Sequence, residues 1–257
     1  EETFIRAHDT TGAPFPEAIP DEEHLVAVIA AAKEKGVKVV LALYPAKARA
    51  VADNGPAGFV DFCGRAASAF PDAAAFIVGN EPNQPRFWQP QFSTRGTGLA
   101  CTAYARVLGR AYDALKAVDP TITVLGVSLS PRGNDNATAA TNASTSPIRC
   151  LRDMGASYRA SGRKRPIMDE LAFHPHPNSN TDSFLVGYRW PNAGTSNLGR
   201  IKQAVWDAFR GTAQPVFAEA GKPVSRAALP PLRFRLNEIG WQTAIPASSM
   251  HAYYGRE

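Results

Sequence analysis

The chain has 257 residues, 44% apolar and 20% charged, enough to bury the core of one large domain or two small ones. Its net charge of +5 is scattered, with Arg163-Lys164-Arg165 the densest basic cluster and no basic helix interleaved with aromatics, so a nucleic-acid partner is not expected. No apolar run approaches the roughly 18 residues of a membrane span, and an opening Glu1-Glu2 does not read as a secretory leader.

Residues 4–7 read as the end of a strand, followed by a Pro/Gly-containing loop. Asp21 is placed to cap a helix whose apolar positions are Leu25, Val26, Val28, Ile29 and Ala32, and Gly36 ends it. Residues 37–43 (VKVVLAL) form a strand, with Tyr44-Pro45 opening its exit loop. Helical spacing returns over 59–70. The apolar run Phe76-Ile77-Val78 is then punctuated by Gly79, Pro82 and Pro85, the signature of a buried parallel strand and its exit. Residues 99–118 make a long amphipathic helix with Tyr104, Val107, Leu108, Ala111 and Leu115 on one side. A strand over 122–129 leads into a Ser/Asn/Thr/Ala-rich stretch, 132–146, read as a mobile loop. Its two glycosylation-like triplets, at Asn136 and Asn142, are read as accidental. A helix near 147–161, a strand near 167–173, the sequence His174-Pro-His-Pro, a helix over 198–210 and a strand over 232–236 complete the chain.

Strand, exit loop, helix, strand: the repeat lacks hairpin signals and implies a parallel sheet with right-handed helical crossovers. No GxGxxG or P-loop stands where a nucleotide-binding sheet needs one, and chemistry gathered on successive strand ends favours an α/β fold of the (β/α)8 TIM-barrel type. The clear strands recur about every 49 residues, so eight units would need about 390. The expectation is therefore one incomplete barrel domain over 1–257, with six strands, lacking its first and last strand–helix units.

The three cysteines, Cys63, Cys101 and Cys150, show no CxxC or Cys/His spacing, and a zinc site is not expected. Buried free thiols and, in an oxidising compartment, a Cys101–Cys150 disulfide are both compatible with the sequence.

Two Asn-Glu dipeptides, ending in Glu81 and Glu238 and 157 positions apart, each close an apolar strand. Two carboxylates on opposed strand ends of one barrel suit glycosidic cleavage, one protonating the leaving oxygen while the other attacks or stabilises the anomeric carbon. A barrel that binds a glycan without cleaving it is the alternative. A metal-dependent hydrolase would need more convergent ligands than His174 and His176 alone.

GNEPN at 79–83 and LNEIGW at 236–241 resemble the acid/base and nucleophile motifs of clan A glycoside hydrolases, the retaining (β/α)8 superfamily, and PNQPRFW at 82–88 is similar to its bacterial β-xylosidase-like members. The resemblance makes the strand at 37 the third of the barrel, that at 75 the fourth and that at 232 the seventh. It implies Glu81 as general acid/base, Glu238 as nucleophile and Asn80 as the ligand of the sugar 2-hydroxyl. It further implies substrate contacts from His174 and His176 at the sixth-strand end, where many members carry His-x-Tyr. Tyr44, Arg6 and Trp241 complete the implied set. The implied substrate is a β-linked carbohydrate handled without cofactor or metal, by a secreted or extracellular protein.

Overall fold

The computed structural model describes residues 15, 18–179, 181–218 and 230–240. Among them run α1 (Glu22–Glu34), β1 (Val40–Leu43), α2 (Ala50–Asn54), α3 (Ala57–Ala69), β2 (Ala75–Val78), α4 (Ala100–Val118), β3 (Val124–Leu129), α5 (Pro147–Ala160), β4 (Glu170–Phe173), α6 (Leu198–Phe209) and β5 (Arg233–Leu236). The expected strand at 4–7 lies outside the described residues.

The five strands pair in parallel and in sequence order, β1-β2-β3-β4-β5. A doubly wound sheet reverses its order at a switch point, and this sheet does not. Helices α3, α4, α5 and α6 pack on one another in series, as they must when every crossover lies on the same side. That is how the wall of a barrel is built, with the helices outside.

Side-chain alternation gives the two faces. Leu41, Leu43, Phe76, Val78, Val124, Leu171 and Phe173 point outward into the large core under the helices. Val40, Ala42, Ala75, Ile77, Leu125 and Ala172 form a smaller inner cluster, with Tyr44 packed against it. Both faces being covered explains why every residue of β1 to β4 is buried, Ser128 and Glu170 included. The inner face of β5 differs: Arg233 and Arg235 both pair at 2.7 Å with buried Glu170 on β4.

Local chemistry mostly agrees with the elements. The five apolar positions expected on α4 are all buried. Ser146 caps α5 by accepting from the Arg149 N–H, with Pro147 at the first helical position. Asp21 departs from expectation: its backbone is left-handed, φ 55°, and its carboxylate caps nothing, the carbonyl alone accepting from Leu25 N. Val26, expected on the packed face of α1, is exposed. Helix α2 was not expected, because five residues are too few for a periodic pattern. The observed strands β1, β3 and β4 begin two or three residues later than their apolar runs. Cys101 and Cys150, in the first turns of α4 and α5, form a disulfide, and Cys63 is a buried free thiol.

Candidate active site

The carboxyl ends of four strands meet here. β2 exits through Gly79, whose left-handed φ of 82° suits glycine; an added Cβ would also lie 2.8 Å from the Tyr104 ring. Tyr104, wholly buried, reaches from α4 between β2 and β3, where its hydroxyl accepts from Val127 N at 2.8 Å and donates to Val78 O. It stands where the β2–β3 ladder opens. β3 bulges there, with Val127 at φ 84° and Ser128 at φ 45°. A β-branched residue at positive φ is strained, and such bulges gather beside functional sites, where they redirect side chains.

Glu81 itself has φ 37° and donates its N–H to Ser128 O. Its loop is clamped by Asn83, which the sequence reading quoted within GNEPN but gave no role. The Asn83 amide is wholly buried, donates to Ser130 O at 3.1 Å and Thr145 O at 3.0 Å, and accepts from Ser130 N at 3.0 Å. Gln91 adds bonds to Pro82 O and from the Thr145 hydroxyl. The 132–146 segment, expected as a mobile loop, is tied down at its ends, with Ser146 N bonded to Asp135 and the Asn134 side chain to Asn142 O.

β4 leads directly into His174, whose backbone N–H donates to Leu129 O and whose ring is fully buried. A tight turn about Pro175, His176 N to His174 O at 2.8 Å, brings the second imidazole back beside the first. The Tyr188 hydroxyl holds the His176 carbonyl. β5 leads directly into Asn237 and Glu238.

These pieces converge on one imidazole. His174 Nδ1 lies 3.0 Å from Glu81 Oε1 and 3.5 Å from Glu238 Oε2, while Asn237 Nδ2 lies 2.9 Å from His174 Nε2. An amide NH2 only donates, so in this arrangement Nε2 accepts, and a neutral ring carries its proton on Nδ1, facing the glutamates. The two carboxylate oxygens can be no further apart than those two contacts end to end, about 6.5 Å. His176 Nε2 lies 3.5 Å from the same Glu238 oxygen. Burial alone would raise the Glu238 pKa. The hydrogen bond from His176, with the charge that His174 and His176 carry when protonated, outweighs it and holds the carboxyl below its ordinary range.

Of the residues singled out from sequence, Glu81, His174, His176 and Glu238 are brought together. Asn80 stands beside them, half-buried. Tyr44 lies at the exit of β1, edge-on to Phe87. Arg6 and Trp241 lie outside the described residues. Trp88 is buried edge-on against Tyr104, a packing residue. Asp169 bonds Val124 N and pairs with Lys116, so it is structural, as is Glu170. Sequence reasoning missed Asn83, Tyr104, Ser128 and the orienting role of Asn237.

No protein-family model and no curated protein sequence matches the chain. Among solved structures, a fungal β-1,4-galactanase superposes with a TM-score of 0.50 at 13% identity, over 84% of this chain and 60% of its own. The described residues have the fold of an incomplete (β/α)8 barrel. A β-mannanase from the blue mussel Mytilus edulis is similar more loosely, with a TM-score of 0.44 at 13% identity over 96% of this chain and 77% of its own. The described residues supply five of the eight strands of such a barrel. This chain spans about 60% of the galactanase's length.

Proposed function

We propose that this chain is a glycoside hydrolase of the clan A type, acting on a β-linked oligo- or polysaccharide with retention of configuration. The observation that carries the reading is the shared contact of Glu81 and Glu238, from strands β2 and β5, with one buried imidazole nitrogen. The approach of one oxygen from each carboxylate to within about 6.5 Å is compatible with the roughly 5–5.5 Å separation of a double displacement.

In that chemistry Glu238 attacks the anomeric carbon while Glu81 protonates the leaving oxygen. Glu81 then takes a proton from the water that releases the sugar. The lowered pKa of Glu238 suits a nucleophile that must be ionised. His174 orients both carboxylates, and Asn237 fixes its ring. Asn80 would bind the sugar 2-hydroxyl, with Tyr44, Arg6 and Trp241 as further substrate contacts. The Cys101–Cys150 bridge supports an oxidising, extracellular setting.

The test is a pair of variants. Glu238→Gln should abolish turnover of an aryl β-glycoside. Glu81→Ala should spare activated aryl leaving groups more than natural glycans, because little protonation is then required. Full activity of Glu238→Gln, or equal losses of Glu81→Ala on both substrates, refutes these roles.

A further inference from the structure

His174, His176 and Glu238 converge where β4 and β5 end. Their facing donor atoms, two imidazole nitrogens and one carboxylate oxygen, all lie within 4.8 Å of one another. We infer that these three side chains form a binding site for a divalent transition ion of the zinc, copper or nickel kind, and that the ion competes with glycan for Glu238.

The geometry is close to what such an ion requires. Zinc–ligand bonds of about 2.0–2.2 Å in a tetrahedron set neighbouring donors roughly 3.3–3.6 Å apart. Glu238 Oε2 already stands 3.5 Å from each imidazole nitrogen, so two of the three edges fit. The third closes by turning the His176 side chain, which is 41% exposed while its backbone is held by the Pro175 turn and Tyr188. A ligand set of two imidazoles and one carboxylate selects zinc, copper or nickel over magnesium and calcium, which take oxygen ligands. Water or a buffer anion would fill the open position on the cleft side.

The surroundings of His174 can accommodate the change. Ligation through Nδ1 leaves the neutral ring's proton on Nε2, which now faces the Asn237 NH2. Asn237 Oδ1 is buried and has no hydrogen-bond partner among the described residues. Turning that amide half a revolution sets Oδ1 against Nε2–H and beside the Ser128 hydroxyl, now 3.3 Å from Nδ2. One amide atom is unpartnered before and after, so the turn exchanges contacts without a net loss. A carbonyl oxygen behind a ligating histidine is the usual outer-shell partner of a metal site. Ligation would also release the Glu81 contact to Nδ1, so both carboxylates would lose their present roles.

Binding stands on the geometry alone; its inhibitory consequence rests on the hydrolase reading above. The full chain, freed of metal by chelation, is titrated with Zn2+ by calorimetry and with Co2+ by visible absorption. One ion should bind per chain. His176→Ala should weaken zinc more than about tenfold, and Asn237→Ala by about 10–100-fold, with unchanged circular dichroism. His24→Ala, an exposed histidine on α1, should leave the affinity unchanged. In the glycosidase assay zinc should inhibit competitively and chelator should restore the rate. Absent stoichiometric binding, or binding indifferent to His176→Ala, overturns the site, and zinc-stimulated hydrolysis overturns its inhibitory role. His176-dependent zinc binding by a chain that hydrolyses no glycan supports the site and counts against the hydrolase reading instead.

Discussion

Replacing Asn83 by alanine removes the clamp between the exits of β2 and β3. Three hydrogen bonds of 3.0–3.1 Å disappear, leaving the carbonyls of Ser130 and Thr145 and the Ser130 N–H without their partner. Each net bond contributes about 1 kcal/mol, and a buried group left unpaired costs about 1–3 kcal/mol. Thr145 is buried and Ser130 only half-buried, so water can relieve part of the loss, and about 3 kcal/mol is expected. Urea unfolding followed by circular dichroism measures it as a lower midpoint. Asn83→Asp adds a sharper test: it keeps the acceptor for Ser130 N–H but sets a carboxylate against two carbonyl oxygens, so it should lose at least as much. Because Glu81 rides on the same loop, kcat/KM should fall in both variants under conditions where they are fully folded. A loss below about 1 kcal/mol for Asn83→Ala, or an aspartate variant more stable than the alanine one, refutes the clamp.

His176→Ala should move the acid limb of the kcat/KM profile to higher pH. Burial pushes the Glu238 carboxyl up and His176 helps to hold it down, so removing the imidazole lets the pKa rise; an unmoved or lowered limb contradicts the pairing. Tyr104→Phe deletes the acceptor of Val127 N and the donor to Val78 O, a loss of about 2 kcal/mol, or a melting temperature about 4–8 °C lower in a chain of this size. Unchanged melting would show that the hydroxyl holds nothing open. Reducing the Cys101–Cys150 bridge frees a loop of 49 residues, for which chain entropy sets an upper value of about 4 kcal/mol. Coincident urea curves with and without reductant would remove it from the account of stability.

The sequence alone determined the order of elements and the sheet type. The apolar runs of β1 and β2 are continuous because both faces are covered, and period-3.6 stripes such as that on α4 are written in adjacent residues. It also determined that Glu81 and Glu238 close strands, because Gly79 and Pro82 punctuate one exit and Asn237 stands at the other. Only the tertiary structure decided that one buried imidazole touches both carboxylates, that Asn83 joins two loops, and that a tyrosine from α4 holds β2 and β3 apart. Those contacts join residues 23 to 109 positions apart, and no local pattern encodes them. The disulfide was open for the same reason: Cys101 and Cys150 become neighbours only once α4 packs on α5. Short-range regularities survive in a linear string because each residue's neighbours set them, whereas a site made by four strand ends exists only after the crossovers have stacked those ends side by side.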